Sequence, residues 1–164
     1  AEEILKMRFK GALTLIRPNA VFGFPAFWDR FSRRGLIPFA FPLEAVERQC
    51  VTLKTSGTQK RNFCGAGDLA EIVESELSRS PMGGLKIINP VGKQTLSIAS
   101  FAENCALEAS RQTGQECKVI RNTEGEASSP FSYGSIWPQS PKEELAEFLS
   151  QMTSFAISKS QGSA

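Results

Sequence analysis

Apolar positions along this chain recur with two periods, and the change from one to the other marks out the elements. Met7 to Ile16 begins with alternation, Met7 and Phe9 against Arg8 and Lys10, then becomes continuously apolar. That pattern predicts a strand running from a sheet edge to its centre, ended by Pro18-Asn19. A short helix is predicted through Ala26 to Arg34: Pro25 serves as its first residue, Phe27 and Phe31 share a side with Trp28, and Gly35 closes it. Leu36 to Pro42 reads as extended, because each proline biases the residue before it away from the helical region. Residues 43 to 53 stay open between a helical turn or two in LEAVERQ and a strand in QCVTLKT. Ser56 to Gly67 reads as turns, with Lys60-Arg61-Asn62 at the centre.

The second half is more regular. Asp68 has the character of an N-cap with Glu71 three residues on, and Leu69, Ile72, Val73 and Leu77 keep a helical period until Pro81 and Gly83-Gly84. Leu85 to Ile88 reads as a short strand. A helix follows, started by Thr95 or Ser97, with Ile98, Phe101, Ala102, Cys105 and Ala109 on one face and Gly114 as its C-cap; Cys117 to Ile120 is then a strand. Strand, helix and strand in that order predict a parallel unit with a right-handed crossover. Residues 122 to 139 form a Gly, Ser and Pro-bearing loop of the lid-like kind. Ser140-Pro141 and Glu143 open a last helix with Leu145, Phe148, Leu149, Met152 and Ala156 facing inward. The prediction is one α/β domain over residues 1–157, a mixed sheet with three or four helices, and a frayed tail over 158–164.

Composition narrows the chemistry. With 41% hydrophobic and 22% charged residues in 164, the chain is that of a globular domain. No run approaches the roughly 18 apolar residues that cross a bilayer, and the first residues lack a basic and apolar leader, so a cytoplasmic setting is expected. There is no histidine, which removes Ser-His and Cys-His chemistry and imidazole metal ligands. Cys50, Cys64, Cys105 and Cys117 are too scattered for a zinc or redox pair and read as small core or loop residues. Charge is uneven: residues 1–61 carry 11 Lys and Arg against 5 Asp and Glu, and the rest 8 against 12. A positive field of this kind draws polyanions, membranes or acidic proteins.

Gly92-Lys93-Gln94-Thr95 lies where a strand hands over to a helix, where backbone N–H groups can face an anion. It is no Walker loop, since Ile87 stands where the first glycine belongs. The piece SFAENCALEASRQTGQECKVIRN that follows has a helix opening on a polar patch, small residues along its inner face, and an immediate short strand. Across Leu85 to Asn122 this resembles the core element of the ParB and sulfiredoxin superfamily, nearest to plasmid fertility-inhibition proteins of the oncogenic-suppression type, although the family's cysteine and arginine boxes are missing. The resemblance implies nucleotide and DNA chemistry, with Lys93, Gln94, Thr95 and Glu103 round a phosphate pocket and with ATP and Mg²⁺ as cofactors.

Arg30, Arg33 and Arg34 beside Phe27, Trp28 and Phe31 are the strongest nucleic-acid feature, since guanidinium groups grip phosphate and aromatic faces stack on bases. A buried aromatic stripe with solvated arginines is the plainer alternative. Lys60 and Arg61 add charge if the fold brings them near, and a solvated turn otherwise. Capping explains Asp68 and Glu71, with a Mg²⁺ cluster of these two and Glu74 as the alternative, and no metal site is assigned. Glu103 and Arg111, on one helix, are candidate catalytic partners against a default of an exposed face. Two functions are therefore expected to compete, with a small metabolic enzyme on an α/β scaffold, for which no complete catalytic set can be named, as a lesser third. One is a DNA-directed ATPase or DNase acting in plasmid transfer inhibition. The other is a non-enzymatic inhibitor or adaptor, which docks on a secretion or conjugation protein through the Phe, Pro and Arg-rich N-terminal half.

Overall fold

The computed structural model describes residues 2–79, 83–122, 133–135 and 139–161. Its elements follow the order α1 (Glu2–Arg8), β1 (Ala12–Ile16), β2 (Ala20–Phe22), α2 (Ile37–Arg48), β3 (Cys50–Leu53), β4 (Lys60–Gly65), α3 (Ala66–Leu77), β5 (Gly84–Ile88), β6 (Gln94–Ser97), α4 (Ile98–Thr113), β7 (Lys118–Arg121) and α5 (Leu145–Gln161). The architecture is α/β, and the described strands form three small sheets rather than one. β1 runs parallel to β5, β3 runs parallel to β7, and β4 lies between parallel β2 and antiparallel β6.

The main core lies among α2, α4, α5 and the strands beside them. α5 packs on both α2 and α4. The periodicity of α4 holds, because Ile98, Phe101, Ala102, Cys105 and Ala109 are all buried, Ser97 is its cap and Gly114 closes it at a φ of 70°. The inward face of α5 holds equally: Leu145, Phe148, Leu149, Met152 and Ala156 are buried. Phe63 of β4 stacks on Phe101 with ring centroids 4.5 Å apart, and Phe39 meets Phe148 edge-on at 5.7 Å.

Several expectations are corrected. Met7 begins no strand; it belongs to α1, and β1 begins only at Ala12. The helix over Ala26 to Arg34 shrinks to one 3₁₀ turn at Trp28–Arg30. Trp28 is drawn into the core against Phe31 and Phe155, at 5.9 and 4.8 Å, and that docking holds the chain extended at Phe31 where a helix would continue. Leu36 to Pro42 is helical instead of extended. Pro38 sits in the first turn of α2, where a missing N–H costs nothing, and Pro42 inside the helix forfeits only the bond to the Pro38 carbonyl, offset by its burial. Lys60 to Gly65 is a strand, because Asn62, Phe63, Cys64 and Gly65 are buried on both faces of a central strand and show no alternation. The strands flanking α4 do not pair with each other: β6 intervenes, and β5 and β7 join different partners. Of the expected loop, residues 123–132 and 136–138 lie outside the described residues.

Candidate functional site

The most elaborately built polar site lies where β4 turns into α3. Gly65-Ala66-Gly67-Asp68-Leu69-Ala70 follows a strand and opens a helix. That placement, with glycines two apart and alanine three further on, is the turn that seats a pyrophosphate on helix N–H groups in dinucleotide-binding proteins. Here another anion has the seat. Glu143 Oε2 accepts from the Gly67 amide at 2.7 Å and the Asp68 amide at 3.4 Å. The glycines make room for it: a Cβ on Gly65 would stand 1.9 Å from Glu143 Oε2. Asp68 answers from the other side. Its buried carboxylate accepts from the Lys142 amide at 2.7 Å and the Glu143 amide at 3.3 Å, just ahead of α5. Each carboxylate thus caps the start of the other's helix region. The sequence reading placed Asp68 as the cap of α3; it is instead inside that helix, whose cap is Gly65. The Gly-x-Gly-x-x-Ala spacing is legible in the sequence at Gly65, Gly67 and Ala70.

Charge at this turn reaches a neighbouring thiol. Burial, then the Asp68 and Glu143 carboxylates, push Cys64 up to about 11. Cys105 is also buried, and its thiol is raised chiefly by that burial, whereas Cys50 and Cys117 are half-exposed. All four are free. Limited iodoacetamide treatment of the folded protein should therefore modify Cys50 and Cys117 well ahead of Cys64 and Cys105. Peptide mass spectrometry that found Cys64 among the first to react would contradict this picture of the turn.

A cleft of about 300 Å³ opens between α3 and β5 beside this turn, lined by Asp68, Ser75, Glu76, Lys86, Ser140 and Lys142 among others. Its charges are matched in pairs. Glu76 accepts from Lys86 at 2.7 Å and from Arg79 at 2.9 Å, and Glu71 takes both bonds of Lys142. Glu71 is thereby committed to an ion pair and Asp68 to a helix cap.

The Gly92 to Thr95 segment leads into β6, and the cap of the helix that follows is Ser97 rather than Thr95. Asn62, fully buried on β4, donates to Gly92 O at 3.0 Å, Gln94 O at 3.2 Å and Thr95 Oγ1 at 3.1 Å, and accepts from the Gly92 amide at 2.8 Å. One side chain so fixes the entry to β6, and Lys93 is ion-paired with Glu144. Val91 and Asn89 are held in turn by Gln139.

The remaining candidates are dispersed. Arg34 bonds the carbonyls of Trp28 and Phe31 and lies 5.2 Å over the Trp28 ring, while Arg30 lies over Phe27. Arg33 is exposed. Phe22, Trp28 and Phe39 of the Phe and Pro-rich stretch are core, while Phe24, Phe27 and Leu36 are exposed. Glu103 pairs with Arg121, and Arg111 with Glu108, so each is engaged with a different partner. Arg61, half-buried on β4 on the same sheet face as Phe63, makes one hydrogen bond, to the Lys60 carbonyl at 2.8 Å, and no ion pair among the described residues.

The Arg111 pair carries a pH signature. Its guanidinium first, then Gln112 and Ser150, hold Glu108 at about 2 against an ordinary 4.5, with burial opposing. The folded form is favoured by this group above about 4.5, and that contribution is lost as pH falls towards 2. Urea titrations should show Glu108→Gln flattening the acid limb of stability. An unchanged slope would remove the pair from the acid response.

No family model matches the chain, and no curated protein is similar to it in sequence. Solved structures are similar in fold. The UDP-glucuronic acid 4-epimerase of Bacillus cereus, in complex with UDP-glucuronic acid and NAD, superposes over 96% of this chain and 49% of its own at a TM-score of 0.65 and 19% identity. The UDP-glucose 4-epimerase of Bifidobacterium longum, with NAD+ and UDP, covers 98% and 52% at 0.67 and 12% identity. The dTDP-glucose 4,6-dehydratase of Bacillus anthracis, with NAD, covers 90% and 45% at 0.65 and 12%. The chain spans about half the length of the structures it matches.

These likenesses correct the reading of Leu85 to Asn122. The fold is similar to part of those epimerase and dehydratase structures and is not that of the ParB and sulfiredoxin superfamily. β6 breaks the strand-to-helix step on which that resemblance rested. The DNA-directed ATPase or nuclease, its plasmid-transfer setting, and ATP with Mg²⁺ are set aside with it, since the similar structures include two epimerases and a dehydratase crystallised with NAD. No described helix is long and apolar enough to cross a membrane.

Proposed function

We propose that this chain is the nucleotide-sugar-facing part of an epimerase-like or dehydratase-like protein whose dinucleotide is held by other polypeptide. The observation that carries the reading is the Glu143 carboxylate in the Gly65 to Gly67 turn. NAD is the cofactor named with the similar structures, and this turn is the one place where the sequence has a dinucleotide-type glycine spacing. The residues present do not fit it there. A pyrophosphate would have to displace a carboxylate already bonded to the same amides and would meet its negative charge. No chemical step through NAD is therefore assigned to these residues.

Likeness over nearly the whole chain supports the other ligand of those proteins, a uridine diphosphate sugar. Arg61 is the side chain best suited to its diphosphate. It is half-buried, has no acidic partner among the described residues, and commits one donor of its planar fork. Saturation-transfer NMR with UDP-glucuronic acid, UDP and NAD tests the reading. Signals should transfer to the two uridine ligands, fall about tenfold in affinity on Arg61→Ala, and be unaffected by NAD. NAD binding that competes with UDP, or uridine ligands that ignore the Arg61 substitution, would refute it.

A further inference from the structure

We infer that the outer edge of β1 is a docking edge for a parallel strand, supplied by polypeptide that precedes α1 and folds as the complementary α/β half. β1 and β5 pair with each other and with no other described strand. A parallel pair of five residues does not hold in water alone, and parallel sheets are normally covered on both faces. Here Leu15 and Ile88 are buried, but neither belongs to the main core, and most of the remaining positions are open or half-open.

The backbone says which edge is free. Arg17 donates its amide to Ile88 O at 2.9 Å, so by alternation Leu13, Leu15 and Arg17 point towards β5, while Ala12, Thr14 and Ile16 turn their N–H and C=O groups outward. On the far strand Ile87 is itself engaged. The open edge is therefore that of β1. Leading into β1 is α1, which buries no residue and leaves Ile4, Leu5 and Met7 exposed, followed by exposed Phe9. An Arg17–Glu2 ion pair holds the start of α1 near the end of β1. A helix entering a parallel strand is the second half of a strand, helix, strand unit, and here its first strand is the missing part. The occupant's size follows from the similar structures, which are about twice as long as this chain and continue beyond what it covers.

The inference stands on the fold and is independent of the uridine ligand, so either can fail alone. It is tested by hydrogen exchange on two proteins: the chain of 164 residues, and the same chain extended upstream from its gene by about its own length. Outward amides at Thr14 and Ile16 should exchange freely in the first and slow by about a hundredfold in the second, with loss of hydrophobic-dye binding. Thr14→Pro, which removes an outward N–H and leaves the β5 bonds in place, should abolish the gain in the extended protein only. Equal exchange in both proteins would overturn the inference. So would protection that rises with concentration of the short chain, which would make a second copy the occupant.

Discussion

Gly92→Ala should be the most damaging small substitution in this protein, lowering stability by about 3 kcal/mol or more. A Cβ at that position would stand 1.7 Å from the Phe63 carbonyl oxygen and 2.8 Å from the Cys64 Cα. These are backbone atoms of the central strand, so no side chain can swing aside. The connector before β6 would have to lift from β4, and the Asn62 side chain would lose the amide and carbonyls it holds. Such a group, buried and left without partners, costs its full desolvation. A thermal melt should fall by roughly 6 to 12 °C for a chain of this size. A variant that melted within about 2 °C of the parent would show that Gly92 is not pressed against β4.

Asp68→Ala should follow, at about 2 to 3 kcal/mol, the range for hydrogen bonds to a buried charged group. The substitution strips the amides of Lys142 and Glu143 of their acceptor and frees the segment that carries Glu143 into the Gly65 turn. Asp68→Asn keeps one acceptor oxygen and should lose about half as much. Glu143→Ala alone should cost about 1 kcal/mol, as for an ordinary helix cap. Because the two caps support each other, the double variant should be less destabilised than the sum of the single ones. Urea denaturation in a double-mutant cycle measures this, and strict additivity would mean that the two carboxylates act separately.

What the sequence disclosed follows from where each element buries its side chains. α4 and α5 each lay one apolar stripe on the core and keep the other side wet, so a 3.6-residue period identified their inner faces residue by residue. β4 is buried at Asn62, Phe63, Cys64 and Gly65 without a break. A strand covered on both faces has no alternation to read, and its lysine, arginine and asparagine looked like a turn. α2 was hidden by its prolines, one at a position that tolerates it and one whose lost bond burial offsets. The site was harder still. Asp68 and Glu143 meet across 75 positions of chain, and neither shows locally which helix start it serves. Lys93 and Glu103 looked available because their partners, Glu144 and Arg121, stand far along the sequence. Arg61 was noticed for its charge, but its half-buried placement beside the Phe63 face exists only once β4 does.

The pairing of the strands also bears on how the polypeptide acquires its shape during synthesis. β1 meets its neighbour only when Gly84 to Ile88 has been made, and β3 waits for Lys118 to Arg121. An early ribosome-bound stretch therefore exposes unmatched ribbon edges and a run of phenylalanines with nothing to close over them. Such a chain is expected to mature slowly and to depend on holding factors until its last helix emerges.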